Sequence, residues 1–192
     1  ADTKARLLQA TDDALQKHGY ADLSMAKVAD EFDGSQSLIH YHFDSREGLL
    51  AAYVAWKRDQ YREFLDEEFP EDPDERVTAL VTTFVREFTE WANTDRGQAM
   101  MDLYAEGRDS DAVAEELRRL DGLFRDAFRE AVADGVEAGV FRDVDPDAVA
   151  RLLLAASDGT AARWSVGEGD EGEPIADAVE QYLLDQIRVD GN

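Results

Sequence analysis

The sequence predicts an all-α chain: a small N-terminal trio of helices followed by a larger C-terminal helical bundle, about nine helices in all. Three observations carry this. Long runs are rich in Ala, Leu, Glu, Arg and Asp, the residues that lose least on entering a helix, Asp excepted. Val and Ile show no sustained alternation of period two, the pattern of a half-buried strand. Start and stop residues recur in order: Ser or Asp before a run, Pro at its first position, Gly after its last turn. Nothing repeats at a fixed period.

Helix one covers Thr3–His18 with Leu7, Leu8, Thr11 and Leu15 on one face, and Gly19 stops it. Ser24 caps a second helix from Met25 to Phe32, and Ser35 caps a third from Gln36 to His42. Asp44, with Glu47 three residues on, predicts a capping box opening a long fourth helix that ends before Pro70. Asp72-Pro73-Asp74-Glu75 starts a fifth: a cap, a first-turn proline, then acids facing the positive end of the dipole. It runs to about residue 92, and 93–97 interrupts. A sixth helix covers about 98–106, and a seventh runs from Asp111 to a stop at Gly139. Asp145-Pro146 opens an eighth, to about 166. A Gly- and Glu-rich loop spans 167–173, and Pro174 starts a ninth helix that ends near Ile187.

Residues 24–49 read SMAKVADEFDGSQSLIHYHFDSREGL. Two short helices joined by the tight turn Asp33-Gly34-Ser35 form a helix-turn-helix, whose second helix enters a DNA major groove. Val28-Ala29, Phe32-Asp33-Gly34-Ser35, Ser37, Ile39, His40, His42-Phe43, Ser45-Arg46-Glu47 and Leu49 follow one known pattern without a gap. On these residues the chain resembles the TetR/AcrR family of one-component transcriptional regulators. There the pattern has Gly at the positions of Asp33 and Ser37 and Tyr at those of His40 and His42. The departures bear on which bases are read rather than on the fold. The motif covers about residues 1–50. Residues 1–46 are expected to be the helix-turn-helix DNA-binding domain and 47–192 the ligand-binding and dimerisation bundle.

With Leu38, Ile39 and Phe43 turned into the trio, helix three presents Gln36, Ser37, His40 and Tyr41. Gln suits a bidentate contact to adenine, Ser accepts several bases, and an aromatic ring suits a thymine methyl. Ser24, Lys27, Ser35, His42 and Arg46 sit at helix starts or flanks, where phosphates are held. The resemblance implies the same nine positions. His40 and His42 are two apart on a helix and do not converge, and the chain has no Cys and no third His nearby, so no metal and no cofactor are expected.

The formal net charge is −24 and the pI about 4.3. Residues 1–46 carry five Lys/Arg against eight Asp/Glu, a net of −3, so −21 belongs to the rest. Only four of the 20 basic residues are Lys (4, 17, 27 and 57), and Asp outnumbers Glu. This composition fits a halophile, where molar salt cuts the screening length to about 3 Å and mutes surface self-repulsion. A haloarchaeal source, a shallow or inverted salt dependence of DNA binding, and a cytoplasmic location without membrane attachment are the expectations. No apolar run approaches the roughly 18 residues of a spanning helix, and no signal peptide is visible.

In the bundle, Phe84, Phe88 and Trp91 fall at helical spacing, with Met100, Met101 and Tyr104 after the break, Phe124 and Phe128 on helix seven, and Trp164 near the end of helix eight. Such a stripe packs a core. It also suits an effector pocket, since bundle ligand sites are apolar and lie between facing helices. The resemblance implies a pocket for a small molecule among helices four to eight. Leu152, Ala155, Ala156, Gly159 and Ala162 let another helix approach closely, and Ile175, Val179, Tyr182, Leu183 and Ile187 give helix nine an apolar face. In family members these two helices pair with their twofold copies, so a homodimer on a palindromic operator is implied. The second half also resembles the bundle of regulators of osmoprotectant betaine synthesis.

The expected function is therefore a ligand-responsive DNA-binding regulator, a repressor released by a small-molecule effector. The alternative is an all-helical small-molecule-binding or interaction protein without DNA binding. An enzyme finds no support: no nucleophile motif, phosphate loop or His-Glu-x-x-His is present.

Overall fold

The computed structural model describes residues 3–87, 91–92, 94–107, 109–164 and 172–189, with the side chains of Glu106, Arg163 and Trp164 outside that set. Among the described residues there are nine helices and no strand: α1 (Thr3–His18), α2 (Met25–Phe32), α3 (Gln36–His42), α4 (Arg46–Glu67), α5 (Pro73–Val81, continued by a π-helical turn Thr82–Glu87), α6 (Asp95–Gly107), α7 (Asp111–Glu137), α8 (Pro146–Trp164) and α9 (Gly172–Val179, then a π-helical turn Glu180–Leu184 and a last turn Asp185–Ile187). No helix of the described residues is long and apolar enough to cross a membrane. The chain forms two compact units, Ala1–Arg62 with Thr94–Asp121, and Glu63–Asn93 with Gly122–Asn192.

The first unit holds α1, α2, α3, most of α4, α6 and the start of α7. Its core takes the expected face of α1 (Leu7, Leu8, Thr11, Leu15), with Val28 and Ala29 of α2, Ile39 of α3, Leu49, Leu50 and Val54 of α4, and Leu103 of α6. Gly19 ends α1 in the left-handed conformation, φ 72°, which a side chain rarely adopts. In the second unit α5, α8, α9 and the rest of α7 enclose Val77, Leu80, Phe84, Phe128, Leu153 and Leu184. The main chain of 140–142 pairs with the end of α9: Arg142 N–H donates to the Ile187 carbonyl (2.7 Å) and Val189 N–H to that of Val140 (2.9 Å). Arg188 closes this end. Its guanidinium meets Asp74 (2.7 Å), Asp185 (2.8 Å), Glu180 and the Thr78 hydroxyl, and these partners hold its proton well above the ordinary arginine range against the opposing effect of burial.

Four local expectations need correction. The cap of α4 is Ser45, whose hydroxyl accepts from Gly48 N–H at 3.0 Å; Asp44 stands one residue outside the helix. Helix α6 starts at Asp95, three residues earlier than expected, because the Thr94 hydroxyl accepts from Gly97 N–H (3.1 Å) and outweighs the weak propensity of that glycine. Helix α9 begins at Gly172, two residues before Pro174. Helix α5 does not stay regular: it widens into a π-helical turn at Thr82–Glu87, and the buried Ser157 hydroxyl of α8 donates to the Phe84 carbonyl in that turn at 2.5 Å. The caps at Ser24, Asp72 and Asp145 are as expected, each side chain accepting from one or two first-turn amides. The body of the 167–173 loop lies outside the described residues.

Candidate nucleic-acid interface

The two helices of the motif are joined by a turn whose chemistry is local. Asp33 adopts φ 53°, ψ 45°, a left-handed conformation that Asp tolerates at modest cost. Its N–H and that of Gly34 donate back to the Asp30 and Ala29 carbonyls (3.3 and 3.1 Å), closing α2. A Cβ on Gly34 would stand 2.6 Å from the Phe32 ring, so glycine is the residue that fits the turn. Ser35 has the extended dihedrals of a cap, yet its hydroxyl makes no capping bond. It is exposed at the start of α3.

Helix α3 has two faces. Ile39 is buried, and Phe43 beyond its end is buried with it. Gln36, Ser37, His40 and Tyr41 are exposed, Tyr41 to 82%. Gln36 Nε2 and His40 Nε2 approach to 3.4 Å, one helical turn apart, so the two side chains share one ridge. The Tyr41 ring meets that of His42 edge to face at 5.1 Å, and His42 is half-buried against Phe43.

Of the residues expected to meet phosphates, Ser24 spends its hydroxyl on Lys27 N–H (3.3 Å), and Lys27 is half-buried on the first turn of α2. Arg46 is turned inward. Its Nε donates to the Leu23 carbonyl (3.0 Å), its Nη2 to that of Tyr20 (2.7 Å), and its guanidinium lies 4.6 Å from the Tyr20 ring. In this arrangement it fastens the loop between α1 and α2. Sequence reasoning did not single out Lys4 and Arg6, which lie over the Phe43 and Phe32 rings at 5.9 and 4.9 Å and bring positive charge from α1 to the flank of the motif. Their nearness is tertiary, and no local spacing signals it. Lys17 is paired with Glu31 at 2.7 Å; that hydrogen bond raises the lysine above its ordinary range and lowers the carboxyl below its own.

In the second unit Phe84 contacts Phe124 and Phe128 with ring centroids 4.9 and 5.9 Å apart, and Phe69 stacks on Phe84 at 6.4 Å. These rings pack as a cluster. Trp91 is half-buried. Met100, Met101 and Tyr104 belong to the first unit, where Met100 is buried and the Tyr104 hydroxyl donates to Asp121 at 3.0 Å. Phe88 and the side chain of Trp164 lie outside the described residues. On α8, Leu152 is 56% exposed and Ala155, Gly159 and Ala162 are exposed with it, while Ala156 is half-buried. On α9, Tyr182 is 72% exposed, Ile175, Val179 and Leu183 are half-buried, and Ile187 is in the core. Among the described residues no group of three or more His, Asp or Glu could hold a metal ion.

Residues 7–53 match the family model described as "Bacterial regulatory proteins, tetR family", and residues 73–188, more than half of the chain, match "BetI-type transcriptional repressor, C-terminal". The chain belongs to the TetR family of transcriptional regulators. A TetR regulator from Haloarcula marismortui has a similar structure (TM-score 0.86, 28% identity over 97% of this chain and 98% of that one). A putative regulator from Saccharomonospora viridis, solved in complex with choline, shares the fold (TM-score 0.80, 19% identity, 97% of each chain). So does the Bacillus subtilis regulator FadR, solved with stearoyl-CoA (TM-score 0.74, 14% identity, 93% of this chain and 98% of that one). No curated protein matches. TetR-family proteins are DNA-binding regulators, typically ligand-responsive repressors, and the BetI-type match agrees with the resemblance read from the second half of the sequence.

Proposed function

We propose that this TetR-family chain is a repressor that binds a palindromic operator as a homodimer and is released by a small-molecule effector. The exposed ridge of α3 carries the reading: Gln36, Ser37, His40 and Tyr41 face out while Ile39 and Phe43 anchor the helix. Gln36 reads adenine, and Tyr41 covers a thymine methyl. Ser35, with its unspent hydroxyl, and Lys27 and His42 take phosphates; Ser24 and Arg46 serve the same surface by holding α2 and the loop before it. Residues 1–46 act as the DNA-binding domain and 47–192 as the ligand-binding and dimerisation bundle. The exposed strip of Leu152, Ala155, Gly159 and Ala162, with Tyr182 of α9, supports pairing with a second copy.

The aromatic side chains of the bundle supply the effector site, and α4 carries its state to the motif. An effector acts only through the difference in its affinity for the two states. Choline and a long-chain acyl-CoA, bound by two proteins of this fold, are the first probes. The −24 charge and the likeness to a Haloarcula protein support a halophilic, cytoplasmic setting in which counterion release gives little and binding rests on fit and base contacts.

Two variants test the reading on a duplex the protein itself selects. Gln36→Ala and Tyr41→Ala should each lose about 1–3 kcal/mol of binding and relax preference at one base step. Unchanged affinity in both would remove α3 as the reading helix. Leu152→Glu with Tyr182→Glu should shift sedimentation from dimer to monomer; a monomeric parent protein would overturn the dimer.

A further inference from the structure

Helix α1 buries a mostly apolar stripe with two polar members: Thr11, whose hydroxyl donates to the Leu7 carbonyl of its own helix (2.8 Å), and Asp12, a carboxylate in the middle of it that is only 3% exposed. The Asp12 Oδ1 accepts from the Tyr53 hydroxyl of α4 at 2.6 Å, and its Oδ2 pairs with Arg96 Nη2 of α6 at 3.1 Å. Arg96 Nη2 also donates to Gln16 Oε1 of α1 at 2.9 Å. The same carboxylate is felt along α4. Burial, then Asp12, pushes the Tyr61 hydroxyl up to about 12, while burial holds the Lys57 ammonium below its ordinary range against the pull of Asp12. All these residues lie in the first unit.

A leucine at position 12 would suit the stripe on stability grounds, because removing a carboxylate from water is costly and its pairing seldom gains more than that cost. What a buried, two-sided pairing adds is direction: it accepts one rotation of α1 against α4 and α6. The motif rides on α1. Arg6 lies over the Phe32 ring of α2, Lys17 is paired with Glu31 of α2, and Lys4 lies over Phe43 at the end of α3. We infer that Asp12, Tyr53 and Arg96 form a latch that positions the helix-turn-helix for DNA, with Arg96 passing the placement of α6 directly to α1. This rests on the DNA-binding reading and adds a second route beside α4. Asp12 and Arg96 are positioning residues; neither touches DNA.

The test compares Asp12→Asn, Arg96→Gln, Arg96→Lys and the double variant Asp12→Asn/Arg96→Gln. Affinity for the selected duplex is measured at a temperature where circular dichroism shows each fully folded. Asp12→Asn and Arg96→Gln should each bind about tenfold more weakly, within the usual range of coupling between sites. The double variant should lose no more than either single one, and Arg96→Lys should recover part of the loss. A role in stability alone would lower the melting temperature and leave the affinity of the folded protein at the parent value, and that result overturns the latch. If the parent protein selects no duplex, the regulator reading fails separately. The latch is then judged by hydrogen exchange: faster exchange in α2 and α3 of Asp12→Asn supports it, and unchanged protection overturns it.

Discussion

The two units treat buried polar groups differently. Among the described residues the buried polar side chains are Thr11 and Asp12 in the first unit and Ser157 and Thr160 in the second. Thr11 and Thr160 donate to carbonyls one turn back in their own helices (2.8 and 2.6 Å), and Ser157 donates to the Phe84 carbonyl of a π-helical turn. Such hydroxyls are satisfied with no demand on distant side chains. Asp12 needs partners from two other helices. In the second unit the buried hydroxyls thus bond to main-chain carbonyls, whereas in the first a buried carboxylate is tied to side chains of two other helices. Charge in the second unit gathers at its rim, where three carboxylates and a threonine surround Arg188.

The contrast can be broken by substitution. The largest effect belongs to the apolar core: Phe128→Ala, at 0% exposure, should cost about 4 kcal/mol in urea unfolding. A loss under about 1 kcal/mol would mean that the ring cluster is loosely packed. Next comes Asp12→Ala, about 3 kcal/mol, because Arg96 and the Tyr53 hydroxyl lose their partner. A neutral result would place water at the carboxylate and weaken the contrast. Arg188→Ala follows at about 2 kcal/mol, since Asp74, Glu180 and Asp185 would be left facing one another.

The smallest effect is Ser45→Ala, about 1 kcal/mol for a lost cap. It also has a signature in pH. The Glu47 carboxyl is held below the ordinary range by its own backbone N–H and the Ser45 hydroxyl. A lowered carboxyl stabilises the fold above that range and stops doing so as pH falls through it. Ser45→Ala should therefore flatten the acid limb of the stability profile, and a parallel downward shift at every pH would contradict the assigned hydrogen bond.

Much of this architecture was legible in the chain. Helix count, the caps at Ser24, Asp72 and Asp145, the buried face of α1 and the inward Ile39 and Phe43 follow from local pattern, because periodicity and capping act over a few residues. What escaped is non-local. Arg46 reads as a phosphate ligand until Tyr20 and Leu23 are seen beside it. Nothing in the local pattern of α1 singles out Asp12, on which Tyr53 and Arg96 converge from 41 and 84 positions away in the chain. The irregular turn at Thr82–Glu87 accepts a hydrogen bond from a serine of α8, which no window on α5 contains. The candidate interface was accordingly clearest where one helix face decides it, on α3, and least clear at its flanks.

The central claim, that an acidic TetR-family chain reads DNA with the outer ridge of α3, is tested most directly by selecting binding sequences from a random duplex library at about 0.1 M and about 2 M KCl, which bracket the screening regimes. The account predicts an enriched palindrome at the higher salt, with affinity that falls little or rises between the two. No enrichment at either salt would contradict it and leave a helical small-molecule binder that does not use DNA.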